Sequence, residues 1–201
     1  MRDEDNIRNV EQLGIDIMGF IFFSKSKRYF LNGGKKESLP KRCKKAGVFV
    51  DENINILLQI ANNMDLDYIQ LHGNESPEEC YIIKDKGFKV IKAFHIQNKA
   101  DIESISKEYE KNCDMFLFDT KCNEFGGSGK QFDWNILDSY SGETPFLLSG
   151  GIDKDSAITI KNIDNPLLHG VDLNSKFEVS PAYKDINLLR QFINELKNYE
   201  L

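Results

Sequence analysis

Strand-like and helix-like patterns alternate from one end of this 201-residue chain to the other, which predicts an α/β fold with a parallel sheet. The count is seven strands and eight helices, with no repeat, low-complexity tract or long linker to divide them. That count suits a (β/α)8 TIM barrel whose first β-strand is missing from the chain better than it suits a doubly wound sheet. No G-x-G-x-x-G follows any of the strands, so nothing supports dinucleotide binding. One domain over residues 1–201 is expected, since 40% hydrophobic content at this length can bury a substantial core.

The elements follow in order. Asp3 to Gly14 carries Ile7, Val10 and Leu13 at helical spacing and stops at a glycine. Ile15 to Phe23 is a nearly continuous apolar strand of the kind buried on both faces, with a basic loop, Ser24 to Arg28, after it. A helix is expected around Lys35 to Cys43, a strand over Lys45 to Val50, and a helix over Ile54 to Met64. The strand ending Tyr68-Ile69-Gln70-Leu71-His72-Gly73 leads to Ser76-Pro77-Glu78-Glu79, a capping box with proline at the first helical position. Val90 to Ile96 reads as strand, Ile102 to Tyr109 as helix and Met115 to Asp119 as strand. Trp134 to Tyr140 reads as helix, Pro145 to Gly151 as strand and Asp153 to Ile160 as helix. Gly170 to Asn174 is the last strand and Ile186 to Leu196 the last helix.

Composition excludes several function classes. A net charge of −6, with cations scattered among the acids, argues against a nucleic-acid surface. Apolar runs are of strand length, far below the roughly 20 residues of a membrane span, and no apolar segment follows the charged start as in a signal peptide. A cytoplasmic protein without nucleic-acid or membrane partners is the expectation. Cys43, Cys80, Cys113 and Cys122 show no CxxC pairing and no histidine at ligand spacing, so neither structural zinc nor a disulfide framework is indicated.

The chemistry gathers at the strand ends, where barrel enzymes place it. Asp119 ends an apolar strand and shares a side with Leu117 and Met115, so it caps one apolar face. Gly126-Gly127-Ser128-Gly129-Lys130 then forms a loop able to approach a substrate closely, with Gly127 lining the pocket, and Asp133 is a plausible N-cap. The plainer alternative is a surface hairpin loop with a capping acid. Ser149-Gly150-Gly151 and the end of the last strand, Val171-Asp172-Leu173-Asn174-Ser175, offer backbone N–H groups to a phosphate. Arg28 could hold a carboxylate in a two-bond fork, or be no more than a solvated charge. His72 lies at a strand end and lines the pocket, and His95 reads as a structural or orienting residue.

Six motifs in order carry a family resemblance: SKSKRY at Ser24–Tyr29, GVFV at Gly47–Val50, QLHG at Gln70–Gly73, FDTK at Phe118–Lys121, GGSGKQFDW at Gly126–Trp134 and LSGGI at Leu148–Ile152. Over essentially its whole length the chain resembles phosphoribosylanthranilate isomerase of tryptophan biosynthesis. The resemblance implies an Amadori rearrangement of N-(5'-phosphoribosyl)anthranilate to the 1-(2-carboxyphenylamino)-1-deoxyribulose 5-phosphate, by general acid and base catalysis with no metal or organic cofactor. It implies Asp119 as general acid, which must hold a proton near neutral pH. It implies Arg28 on the anthranilate carboxylate, and Gly150, Gly151, Asn174 and Ser175 on the phosphate with Asp172 beside them. Monomer and homodimer are both compatible with it.

The family's base is a cysteine in a Lys-x-Cys-Gly segment ending the first strand. The chain opens on Met1-Arg2-Asp3-Glu4-Asp5, which looks like the loop just after that segment. The expectation is a chain whose start was set at an internal methionine, impaired for want of its base, with Cys122 the nearest substitute. Lys176-Phe177 also stands where a Gly-Val is common. Two other readings compete. One is a degenerate barrel that binds a phosphorylated metabolite without catalysis. The other is indole-glycerol-phosphate synthase, whose catalytic lysine and glutamate at early strand ends the sequence does not show.

Overall fold

A computed structural model describes residues 1–105, 107–120 and 134–197. The glycine loop with Gly127, together with Cys122 and Asp133, lies outside the described residues.

Seven parallel strands form one curled sheet in chain order: β1 (Ile17–Ile21), β2 (Lys44–Phe49), β3 (Tyr68–Leu71), β4 (Lys89–His95), β5 (Met115–Asp119), β6 (Phe146–Ser149) and β7 (Leu168–Val171). Sequential order with helical crossovers sends every strand the same way, so the carboxyl ends of all seven share one rim. Alternation sorts the side chains into two packed layers. Phe20, Phe49, Phe116, Phe118 and Phe146 face outward and pack under the helices with Leu57, Cys80 and Ile83. Ile91, Ala93, Met115 and Leu117 face inward and meet Ile17, Tyr68 and Leu147. The expected barrel layering is therefore present on both faces of the sheet.

Four expected helices come out differently. In place of Lys35–Cys43 there is one 3-10 turn, Lys36–Ser38. Pro40 withdraws a donor and drives Leu39 extended at ψ 147, so no helix can pass. The Ile102–Tyr109 segment is two short helices, α4 (Lys99–Glu103) and α5 (Lys107–Asn112), and Ser104 Oγ donates to the Asp101 carbonyl where they part. Trp134–Ser139 is 3-10. Asp153 opens a turn, not a helix: its carboxylate accepts from Ser156 Oγ and the Asp155 amide, and α6 is only Ala157–Lys161.

The helices α1 (Glu4–Glu11), α2 (Ile54–Asn63), α3 (Pro77–Asp85) and α7 (Ile186–Lys197) match their patterns, and Ser76 and Glu79 form the expected capping box of α3. A small antiparallel hairpin, β8 (Glu178–Ser180) and β9 (Tyr183–Lys184), was not anticipated.

Segments flanking the sheet's edge strands, β1 and β7, are joined by side chains. Arg28, in the loop after β1, grips Glu178 with Nε and Nη2 at 2.6 to 3.0 Å. Asn6 of α1 brackets Lys184 of β9, donating to its carbonyl and accepting from its amide, both at 2.8 Å. Asn6 is fully buried, so alanine there orphans two backbone groups. At about 1–3 kcal/mol for each orphan, Asn6→Ala is expected to lower the urea midpoint markedly without changing the slope.

Candidate active site

Three consecutive strands deliver three polar side chains to one point on the inner face of the rim. Asp119 ends β5 opposite His95 of β4 and Ser149 of β6 in the register. His72 follows β3 directly. Asp119 Oδ2 lies 3.6 Å from His72 Nε2 and 3.5 Å from His95 Nδ1. The carboxylate is mostly buried, with 12% of its side chain exposed, while His95 is open at 68%. The acid thus sits above the apolar layer of Met115 and Leu117, where alternation places it.

The floor beside it is tied down. Thr120 Oγ1 donates to the Ser149 carbonyl at 2.9 Å and accepts from Trp134 Nε1 at 2.8 Å. Thr120 is buried, so this bridge fixes the end of β5 against the Ser149-Gly150-Gly151 turn. Gly150 and Gly151 both have positive φ, 88° and 71°, which a side chain resists. Ser149 Oγ donates to Asp172 Oδ2 at 3.2 Å, which brings Asp172 to the same rim. The Asn174 carbonyl and Oδ1 accept from Lys184 Nζ at 2.9 and 3.0 Å. Asn174 Oδ1 is thus committed to a buried lysine. Ser175 opens the 3-10 turn Ser175–Phe177, which Phe177 anchors by packing fully buried against Phe192 at 5.0 Å. Phe177, which stands where the resemblance led one to expect a valine, is thus a packing residue.

Arg28 is not a solvated charge. Glu178 engages its Nε and one Nη2 hydrogen, and a guanidinium carries five donors in a planar fork. The pairing orients the remaining edge. Burial pushes the Glu178 carboxyl up, but the Arg28 hydrogen bond, the Lys184 and Arg28 charges and the Ala182 amide outweigh it and hold the carboxyl below its ordinary value. Burial lowers the Lys184 ammonium against the opposing pull of Glu178. Sequence reading missed Glu178 and Lys184, which lie far along the chain from Arg28 and carry no local motif.

Three described cysteines are poorly placed as a base. Cys43 precedes β2 and Cys113 precedes β5, at the amino ends of the strands. Six residues of extended chain put Cys113 about 20 Å from Asp119. Cys43 is not on a helix, contrary to expectation, and burial pushes its thiol up to about 11. Cys80 lies on α3 in the outer layer, paired with Cys113, and that pairing together with burial raises the Cys113 thiol. Two cavities, of about 450 and 700 Å³, are lined by neither Asp119 nor the histidines. The smaller is walled by Asp51, Glu52, Glu75 and Glu79, the wrong sign for a phosphate. Lys92, inside β4, is bound by Glu75 Oε2 at 3.1 Å and by backbone carbonyls, a satisfied structural cation.

The sequence matches the family model for N-(5'phosphoribosyl)anthranilate (PRA) isomerase over residues 1–195. This chain belongs to that family. An N-(5'-phosphoribosyl)anthranilate isomerase from Parabacteroides distasonis is 48% identical over 200 residues, covering 98% of this chain and 90% of the relative. The phosphoribosyl anthranilate isomerase of Thermotoga maritima superposes with a TM-score of 0.82 at 32% identity, over 98% of this chain and 96% of that one. A phosphoribosyl anthranilate isomerase in complex with reduced 1-(o-carboxyphenylamino)-1-deoxyribulose 5-phosphate superposes at 0.79 with 28% identity, over 98% and 95%. The PRA isomerase family and the barrel fold are the ones the sequence motifs indicated. No helix among the described residues is long and apolar enough to cross a membrane.

The charge state of Glu178 gives this family member a pH signature. Because its carboxyl sits lower in the folded state than the unfolded value of about 4.3, its stabilisation is whole at neutral pH and is lost as pH falls through the lowered value. Urea unfolding of the parent and Glu178→Gln is expected to differ most above about pH 5, the two curves converging in acid.

Proposed function

We propose that this chain provides the acid, the carboxylate clamp and the phosphate loops for isomerisation of N-(5'-phosphoribosyl)anthranilate. The observation that carries the reading is Asp119, set inward on the rim between two imidazoles. Arg28 and the Gly150-Gly151 turn lie on loops that leave the same rim. The ligand held by the related isomerase carries a carboxyphenyl group and a 5-phosphate, the two anionic ends such an arrangement suits.

The chemistry runs as an acid-assisted ring opening followed by a base-assisted enolisation. Asp119 gives a proton to the ribose ring oxygen, the C1–O bond breaks, and the nitrogen lone pair forms the C1=N bond of a Schiff base. A base then takes the C2 proton, and those electrons flow into C1=C2 as the C=N pair returns to nitrogen. The resulting enolamine becomes the ketone by proton transfer from the C2 hydroxyl and protonation at C1. Arg28 holds the anthranilate carboxylate by the edge that Glu178 leaves it. Gly150, Gly151 and Ser175 hold the phosphate through backbone N–H groups, with Asp172 and His72 lining the pocket. No step calls on a metal or organic cofactor.

Cys43, Cys80 and Cys113 are set too far from Asp119 to serve as the base. A strand seated between β7 and β1, ending in cysteine, would bring one to the rim. Residues 1–201 assayed alone are therefore expected to turn over weakly, and the same chain preceded by a Lys-Val-Cys-Gly strand to turn over well, followed by loss of substrate fluorescence. Product-analogue binding without turnover in both chains would instead indicate a barrel that only binds. Equal turnover in both would place the base within the chain, with Cys122 the first to replace. In the active form, Asp119→Asn is expected to lower kcat by about 10²–10⁴-fold, and Arg28→Lys to act chiefly on KM.

A further inference from the structure

We propose that His72, His95 and Asp119 form a binding site for a transition-metal dication of the zinc type, which shuts the acid off reversibly. The three ligand atoms all lie within 4.8 Å of one another. Asp119 Oδ2 stands 3.6 Å from His72 Nε2 and 3.5 Å from His95 Nδ1, beyond an ordinary N–H···O hydrogen bond. Those spacings, within reach of an ion pair, also match a shared ion. Bonds of about 2.0–2.2 Å around a tetrahedral zinc put its ligand atoms about 3.3–3.6 Å apart.

The surroundings fit as well. The two imidazole rings, 5.8 Å apart and inclined at 59°, each turn a nitrogen to the same carboxylate oxygen. Gln70, buried on the same face, lies 3.2 Å from the other nitrogen of His72 through its side-chain amide. A half-turn of that amide presents its oxygen to Nδ1–H, the outer contact that metal-bound histidines make, and leaves Nε2 as ligand. His95 ends a strand and is exposed, so its ring can close the remaining gap without disturbing the core. Two imidazoles and one carboxylate favour zinc, cobalt, nickel or copper over magnesium, and leave a fourth position for water.

A bound ion takes up the Asp119 oxygen and blocks proton donation. That consequence rests on the isomerase reading above, whereas the site itself does not. The sequence could not show it, because its ligands come one from each of three consecutive strands and have no common spacing.

The test is a titration of metal-free protein with Co²⁺, without substrate, followed by visible absorption. Intense four-coordinate bands are expected, unaffected by excess Mg²⁺ and removed by a chelator. His95→Ala is expected to weaken binding by more than about 100-fold, since outer contacts alone are worth roughly 10–100-fold. Asp119→Asn, which keeps the side chain's size, should also lose the bands, with circular dichroism confirming that both variants fold. Weak six-coordinate bands, binding that survives His95→Ala, or no binding at millimolar Co²⁺ would overturn the inference. Bands in this chain, with no turnover either in it or in the form preceded by a Lys-Val-Cys-Gly strand, would leave the site standing and remove the isomerase reading. In the active enzyme, Zn²⁺ should inhibit and a chelator restore turnover.

Discussion

Glu178 is the point on which the two ends of this protein meet. Its carboxylate is buried between Arg28, from the first loop, and Lys184, from the hairpin near the carboxyl end. An uncompensated charge at such depth costs several kcal/mol, about 3–5 when one partner of a buried pair is removed. The cluster therefore holds only while both loops are in place. Because Lys184 also grips Asn174 and the Asn6 amide grips Lys184, the charge cluster fixes the turn after β7, the hairpin and the first helix together. The same contact that links the loop after β1 to the hairpin after β7 also fixes the direction of the Arg28 guanidinium.

The site exists because the strands are two-faced. Outward residues such as Phe116 and Phe118 fill the layer beneath the helices, while Met115 and Leu117 fill the inside of the curl. A polar residue placed one step beyond the inner layer has apolar side chains below and open rim above. Asp119 and His95 occupy such positions opposite each other on adjacent strands, and His72 follows the end of the next strand. The trio is held by the backbone ladder, and Thr120, locked by Trp134, braces its floor.

Much of this was legible in the chain because period-2 and period-3.6 patterns are local. The inward facing of Asp119 follows from two apolar residues spaced by two, and the capping box of α3 from four consecutive residues. What sequence could not yield depends on distance along the chain or on competition within it. Glu178 looks like any hairpin acid until Arg28 is set beside it. The helix expected at Lys35–Cys43 had suitable composition and was defeated by one proline. The helix expected from Asp153 was lost to side-chain bonds that offered the backbone a turn instead. The glycine loop, most telling as a family motif, lies outside what the structure describes.

The spread of contact distances also shapes how the chain must assemble. Every strand pair of the seven-stranded sheet joins segments roughly twenty to thirty residues apart, so that sheet can grow by adding one strand and crossover at a time. Arg28–Glu178 and Asn6–Lys184, by contrast, link residues 150 and 178 positions apart. Loop-closure entropy rises by about 0.6 kcal/mol per doubling of length, so in an open chain these contacts cost roughly 1.5–2 kcal/mol more to close than a neighbouring strand pair, a difference that falls away once the sheet has curled. The joint forms late. A nascent chain leaving the ribosome has Asp119, its histidines and its glycine turn in place before it has the hairpin that pairs with the arginine, so the link between its first and last loops waits on the final segment to emerge.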